Sequence, residues 1–284
     1  MSSVPSGIAH VSDTALMVAA ARAVETGLAD GFARDPFAAR LAGERGMAIY
    51  NALPHRELLC FGMGLRTRFL DELLMEALAA AKIATVVCAG AGLDTRPWRL
   101  DLPPQLRWIE VDFPAMLDYK DALMAAETPR CRRERVTADL NQAGERRALF
   151  AAVGEAPALL ITEGLLMYLP AATVDALAAE SAHETGIAQW ISDITTAAFS
   201  KALDGGRPDP LNHVRAGDAL DGDRILEVAA RHGWTTSARR SYLTDLGFAA
   251  ARAARMMANR PPDAPRPSFP PGDVTGVHRL ARAA

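Results

Sequence analysis

Residues 86–96 read Val86-Val87-Cys88-Ala89-Gly90-Ala91-Gly92-Leu93-Asp94-Thr95-Arg96. A run of small and β-branched apolar side chains stops at two glycines spaced one residue apart. The pattern predicts a buried strand that ends in a tight turn, where the backbone takes positive φ and approaches a ligand closely.

Downstream of this turn, short apolar runs alternate with helical stretches. The strand candidates are 84–89, Leu106–Val111, Arg135–Ala138, Ala158–Thr162 and Ile187–Ser192, and they end in Gly90, Asp112, Asp139, Glu163 and Asp193. Pro114–Ala126, Gln142–Val153 and Ala171–Glu184 are spaced as the crossover helices between them. Such alternation predicts a parallel, doubly wound α/β sheet, whose ligand lies beyond the carboxyl ends of the strands. The convergence of polar residues at those ends therefore points to a site. Asp193 and Asp139 also read as N-caps of following helices.

The first 82 residues read as a helical cap on a core that spans residues 83–284. Thr14–Glu25 is alanine-rich, with Ser12 or Asp13 as N-cap; Asp35-Pro36-Phe37 opens a second helix with Asp as cap; and Glu57–Ala81 carries leucines at near-helical spacing. After Asp193, the Gly/Pro/Asp-rich segment 203–223 reads as a lid insertion. Arg224–His232 then reads as a helix, Trp234–Arg240 as β, Ala249–Asn259 as a helix, Arg260–Asp273 as a proline-rich loop and Val274–Leu280 as a last strand.

Thirty-one basic against 34 acidic side chains give a formal charge of −3 and no footprint for nucleic acid. The densest basic run, Arg130–Arg135, is interrupted by Glu134 and reads as a solvated face before a strand. Cys60, Cys88 and Cys131 form neither a disulfide framework nor a metal motif, so reduced thiols in a cytoplasmic protein are expected. No His/Cys/Asp group has metal-ligand spacing, and Asp218, Asp221 and Asp223 lack the EF-hand pattern. The apolar stretch 15–21 runs straight into Arg22 and Glu25, which is no signal peptide, and no run approaches the roughly 20 apolar residues of a membrane span. Nothing in the sequence points to an oligomeric state.

A strand, a glycine turn and an acid about 20 residues on, at Asp112, together suit an adenosine-containing cofactor whose ribose hydroxyls the acid accepts. Dinucleotide folds carry a third glycine that lets a helix N-terminus reach pyrophosphate. Thr95 takes that place here, and the neighbouring Asp94 would repel phosphate. S-adenosylmethionine has no phosphate and bears a sulfonium cation, so it fits better; a nicotinamide oxidoreductase is the alternative.

The motifs Gly90–Arg96, Trp108–Pro114 (Trp-Ile-Glu-Val-Asp-Phe-Pro) and Thr162–Pro170 (Thr-Glu-Gly-Leu-Leu-Met-Tyr-Leu-Pro) resemble the leucine carboxyl methyltransferase family. That family includes the eukaryotic phosphatase carboxyl methyltransferases and many bacterial O-methyltransferases of polyketide-type natural products. Thr14–Thr26, Asp35-Pro36-Phe37 and Arg66-Thr67-Arg68-Phe69 are similar to its bacterial branch, and the resemblance covers roughly residues 12–195. It implies a Rossmann-like class I methyltransferase sheet with S-adenosyl-L-methionine as cofactor. It further implies that Arg66 holds the methionyl carboxylate, Gly90 and Gly92 line the methionyl part, and Asp112 takes the ribose. By the same resemblance Asp139 and Leu140 flank the adenine, Glu163 stands near the methionyl amino group, and Arg22 is the basic residue near the cofactor carboxylate. Read without the family, Arg66 is a helix charge paired with Glu72 or Asp71, and Arg22 an exposed helix charge. Cys88-Ala89 departs from the Asn-Leu common in relatives and reads as a packing change.

The expected reaction is methyl transfer to an oxygen of a small-molecule acceptor, a carboxylate or a phenol; a protein C-terminal carboxylate is the alternative. A carboxylate is already ionised near neutral pH and needs no base, whereas a phenol benefits from one. Tyr168 and His213 are the substrate-side candidates, with His183 and His232 as further possible helpers, and no catalytic base is assigned.

Overall fold

The computed structural model describes residues 10–183, 186–204, 211–259 and 268–282. Helices α1 (Val11–Gly27), α2 (Ala38–Ala52) and α3 (Arg56–Ala80) precede strand β1 (Thr85–Ala89). The short helix α4 (Arg96–Arg99), β2 (Arg107–Asp112), α5 (Pro114–Met124), β3 (Arg132–Thr137), α6 (Ala143–Val153) and β4 (Ala158–Thr162) follow. The chain continues through α7 (Ala171–His183), β5 (Ile187–Ile194), α8 (Ala197–Asp204), α9 (Gly222–Arg231), β6 (Trp234–Ser241), α10 (Ala250–Ala258) and β7 (Gly276–Arg282).

The strands form one sheet in the order β3-β2-β1-β4-β5-β7-β6. β1 to β5 are mutually parallel, as the alternation predicts. The last two strands change the picture from a purely parallel sheet to a mixed one, because β7 runs antiparallel to both β5 and β6. Strand order reverses between β1 and β4, so the crevice of a doubly wound sheet opens at their carboxyl ends.

Alternation along each strand assigns its side chains to one of two cores. Val87, Ala89, Ile109, Val111 and Leu160 pack with Leu149 and Phe150 of α6, Leu177 of α7 and Val228 of α9. Val86, Cys88, Trp108, Leu159 and Ile161 face Phe69, Leu70, Leu73 and Leu74 of α3. Thus α3 is itself a covering layer of the sheet. A third core joins α1 and α2 to α5, through Ala19, Ala20, Leu41, Leu93, Trp98 and Met116.

Several boundaries differ from those expected. The N-cap of α1 is His10, one turn away from a Ser12 or Asp13 cap; Asp13 instead accepts from the His10 N–H and pairs with Arg45. Phe37 is the N-cap of α2, although Asp35 still accepts the Phe37 N–H. The basic run 130–135 is not a face before β3: Arg132, Arg133 and Arg135 belong to that strand. There Arg133 pairs with Glu110 and Asp121, and Arg135 with Asp118 and Asp121. Charges suit an edge strand because they discourage pairing with another chain. The expected lid begins inside α8; its residues 205–210, like residues 260–267 of the proline-rich loop, lie outside the described residues. Its later part holds a turn of 3-10 helix at Asn212–Val214 and docks on the site through the Ala216 N–H to the Tyr168 carbonyl. Among the described residues, no helix is long and apolar enough to cross a membrane.

The C-terminal region is tied to α1 by charge. Arg252 of α10 donates twice to Glu25, which is fully buried and also accepts from the Phe32 N–H and the Cys60 thiol. Replacing Arg252 with Met leaves that carboxylate buried without its cation. The expected loss is about 3–5 kcal/mol of stability in urea unfolding, with much of it recovered when Glu25→Gln is added.

Candidate active site

A cavity of about 260 Å³ opens at the carboxyl ends of β1, β2 and β4, under the N-terminal half of α1. Two glycine conformations shape it. Gly90 follows β1 at φ +66°, and Gly164 follows β4 at φ +58°. A Cβ on Gly164 would stand 3.2 Å from an Arg66 terminal nitrogen, so the glycine lets the guanidinium lie flat against the turn.

Asp112 closes β2 with both carboxylate oxygens on backbone N–H groups, those of Gly92 and Phe113, each at 2.7 Å. Burial raises its pKa above the ordinary carboxylate value, and those two donors offset only part of the effect. Arg66 is largely buried, its side chain 11% exposed, rather than paired on the surface with Glu72 or Asp71; Arg68 takes Glu72 instead. Arg66 Nε lies 2.9 Å from Glu163 Oε1 without the alignment of a hydrogen bond, and a terminal nitrogen donates to Asp193 at 3.3 Å. Arg22 is likewise buried, donating to Asp35 and to the Leu93 carbonyl.

Arg96, quoted within the glycine motif but given no role there, is the centre of the charge network. It is 2% exposed and donates to Asp71 and Glu163, each at 2.7 Å, while its own N–H donates to Asp94. Arg99, one turn on, holds Asp71 with two bonds. Burial pushes the Asp94 carboxyl up, but Arg96 beside it pulls it down to about 2. Burial also opposes ionisation of Glu163, yet Arg96 and Arg66 hold it below the ordinary range. Asp193 goes the other way, because burial outweighs Arg66 and the Gly164 N–H. It is no helix cap, but a buried carboxylate within β5.

The structure therefore brings Arg22, Arg66, Gly90, Gly92, Asp112, Glu163 and Tyr168 to one cavity. Asp139 and Leu140 stand beside it: Asp139 accepts the Asn141 backbone and side-chain N–H groups, Leu140 is buried in the core, and Asn141 reaches the wall. His213 is exposed, and its neighbour Val214 lines the cavity in its place. Among the described residues no histidine lines the cavity; His232 caps α9 and contacts Asp175, and His183 ends α7. Burial raises the Tyr168 pKa, so at neutral pH its phenol is a donor rather than a base. Cys88 packs as expected, with its thiol toward Asp94. Sequence reading missed Ser12, Thr14, Ala15 and Val18 of α1, whose small side chains leave room over the turn and carry no chemical signature.

Comparison with known proteins places the chain in a family. The model of the leucine carboxyl methyltransferase family matches residues 15–182. A protein of Mycolicibacterium smegmatis named for S-adenosyl-L-methionine-dependent methyltransferase activity is 34% identical over 260 residues, 81% of this chain and 83% of its own length. A similarly named protein of Streptomyces avermitilis is 38% identical over 186 residues, 62% of this chain. The match spans 64% of that relative's length. Among solved structures, a DUF574 family protein of Streptomyces avermitilis superposes with a TM-score of 0.57 at 16% identity, over 94% of this chain and 97% of that one. A Thermobifida fusca protein described as a methyltransferase gives 0.54 at 17% identity, over 94% and 93%. At such identities these two likenesses speak for the fold.

Arg96→Met removes the cation shared by Asp71, Asp94 and Glu163, and is expected to cost about 3–5 kcal/mol in chemical denaturation at neutral pH. Asp94 has a folded pKa of about 2 against an ordinary 3.8, so its contribution is present above about pH 4 and lost as pH falls toward 2. The difference between wild type and variant should accordingly shrink below pH 4. A difference that grows with acidity would contradict the network.

Proposed function

The chain belongs to the leucine carboxyl methyltransferase family, and from that premise we propose that it transfers the methyl group of S-adenosyl-L-methionine to an oxygen of a small acceptor. The observation that carries the reading is the single cavity where the glycine turn of β1, the acid of β2 and the Arg66–Glu163 pair converge.

The donor set fits this cofactor. Asp112 keeps lone pairs for two ribose hydroxyls after accepting its two backbone N–H groups. Arg66, whose buried Nε lacks an aligned acceptor, suits a methionyl carboxylate. Glu163 suits the methionyl amino group, and Gly90 and Gly92 permit close approach of the chain to the methionyl portion. Asp139 and Leu140, with Asn141 at the wall, form the adenine side. Arg22, occupied by Asp35 and Leu93, supports the wall near the carboxylate. A dinucleotide fits poorly: the helix after the glycine turn is the four-residue α4, too short to offer a pyrophosphate the N-terminus of a long helix.

When bound, S-adenosylmethionine supplies an electrophilic methyl group on a sulfonium. The chain's residues then have to align the acceptor and exclude water. Thr14, Ala15 and Val18 cover the cavity from α1, and Tyr168 offers a hydrogen bond to an acceptor oxygen. A small-molecule carboxylate is already ionised near neutral pH and so needs no base.

Isothermal titration with S-adenosylmethionine and S-adenosylhomocysteine should show binding that falls more than tenfold in Asp112→Ala. Absence of binding to either would overturn the donor, and fluorescence enhancement of NADH on mixing would favour an oxidoreductase. Incubation with methyl-labelled donor and a panel of aromatic carboxylates and phenols should label a small carboxylate. Label on a protein band instead would make the acceptor a protein carboxyl group.

A further inference from the structure

Among the described residues, the ion-paired cluster behind the cavity holds more carboxylates than guanidiniums. Three guanidiniums, Arg66, Arg96 and Arg99, face four carboxylates, Asp71, Asp94, Glu163 and Asp193, and all seven side chains are largely buried. Arg96 is committed to Asp71, Asp94 and Glu163, and Arg99 to Asp71. Asp193 is left with a share of Arg66 at 3.3 Å and the Gly164 N–H at 2.7 Å. Of the neighbouring charges, Arg22 pairs with Asp35, Lys120 and Arg133 pair with Glu110 and Asp121, Asp112 is held by backbone N–H groups, and Arg215 lies on the Tyr168 side.

The surplus charge sits close behind the cavity wall. Asp193 is opposite Val277 of β7 near the carboxyl end of β5, and it contacts Arg66 and Gly164, both of which line the cavity. The phenol of Tyr242, stacked on Phe69 one turn from Arg66 in α3, is buried nearby with no hydrogen-bond partner. A buried surplus carboxylate is costly unless a cation reaches it.

Resting on the reading of the cavity as an S-adenosylmethionine site, we infer that Asp193 is a specificity-determining residue that favours the cationic methyl donor over its neutral demethylated product. The sulfonium gives the donor a net charge of +1, whereas the product is a net-neutral zwitterion. In transfer, an electron pair of the acceptor oxygen forms the O–C bond and the C–S pair returns to sulfur. The sulfonium becomes a thioether, the acceptor carboxylate loses its charge as an ester, and the attraction to Asp193 is lost. Product is thereby released in favour of fresh donor. Asp193 acts through the field at the site, so the ratio of two affinities isolates it: a purely structural role would shift both ligands together, because they share the methionyl carboxylate, amine and nucleoside.

The test is equilibrium titration of wild type and Asp193→Asn with S-adenosylmethionine and S-adenosylhomocysteine, after circular dichroism confirms folding. Asn keeps an oxygen for the Gly164 N–H. The expected result is a roughly tenfold fall in the preference for the donor over the product, as expected for one charge at an intermediate dielectric, with product affinity little changed. An unchanged ratio, whether both affinities fall or neither does, overturns the inference. If Asp193→Asn does not fold, the equally neutral Asp193→Ser is titrated in its place with the same two ligands and the same outcomes. If wild type binds neither ligand, the donor assignment itself falls, and the inference with it.

Discussion

The ion pairs of Arg96 hold the site together. One guanidinium, 2% exposed, reaches α3 through Asp71, the glycine turn through Asp94 and the end of β4 through Glu163. Those are the three pieces that must meet for the cavity to exist. A cation at that depth is stable only with its carboxylates in place, and each carboxylate is stable only with the cation. The cluster therefore sets the distance between helix layer and sheet more sharply than apolar packing alone, since apolar contacts tolerate small slides whereas charge-assisted bonds do not.

The same arrangement explains why acid-rich strand ends coexist in one place. Carboxylates at the ends of β1, β2, β4 and β5 would repel one another if left to themselves. Arg96 and Arg66 hold Asp94 and Glu163 in the ionised form, while backbone N–H groups carry part of the load for Asp112 and Asp193. Burial still raises the last two, so the donors around them offset its effect only in part. A wall that carries Asp94, Asp112 and Glu163 is compatible with a ligand bearing a sulfonium and an ammonium, and poorly compatible with a pyrophosphate.

Most of the fold was legible because its central strands are buried on both faces and so read as short continuous apolar runs. β1 and β4 are buried along their whole length, and their boundaries fell close to where the apolar runs end. β3 is the counter-example: an edge strand with charged side chains along it looks like a loop, so its first half was read as a solvated face. The antiparallel turn of β7 has no local signature, since strand direction depends on which neighbour it meets. In the site, glycines and strand-end acids were legible because their chemistry is tied to a position in the motif. Arg96 and Asp193 were not. An arginine after a glycine turn and an acid ending a strand look the same in sequence whether they face solvent, cap a helix or meet across 97 residues of chain through Arg66 and Glu163.

The pattern of anchors also says how the cavity is framed. α3 is pinned to the sheet by Asp71 and Arg66, so its withdrawal would break the network that forms the cavity. α1 is held at its C-terminal half by Arg22 with Asp35 and by Glu25 with Arg252. The half that covers the cavity, with Ser12, Thr14, Ala15 and Val18, is held by the Asp13–Arg45 pair and by a hydrogen bond between the Thr14 and Tyr168 side chains. Opposite it lies the 211–216 segment, with Val214 at the wall and the Ala216 N–H on the Tyr168 carbonyl. The cavity is therefore framed by buried charge on the α3 side and roofed by polar contacts from α1 and this segment. On the reading proposed above, donor binding falls to the charged frame and acceptor contacts to the roof.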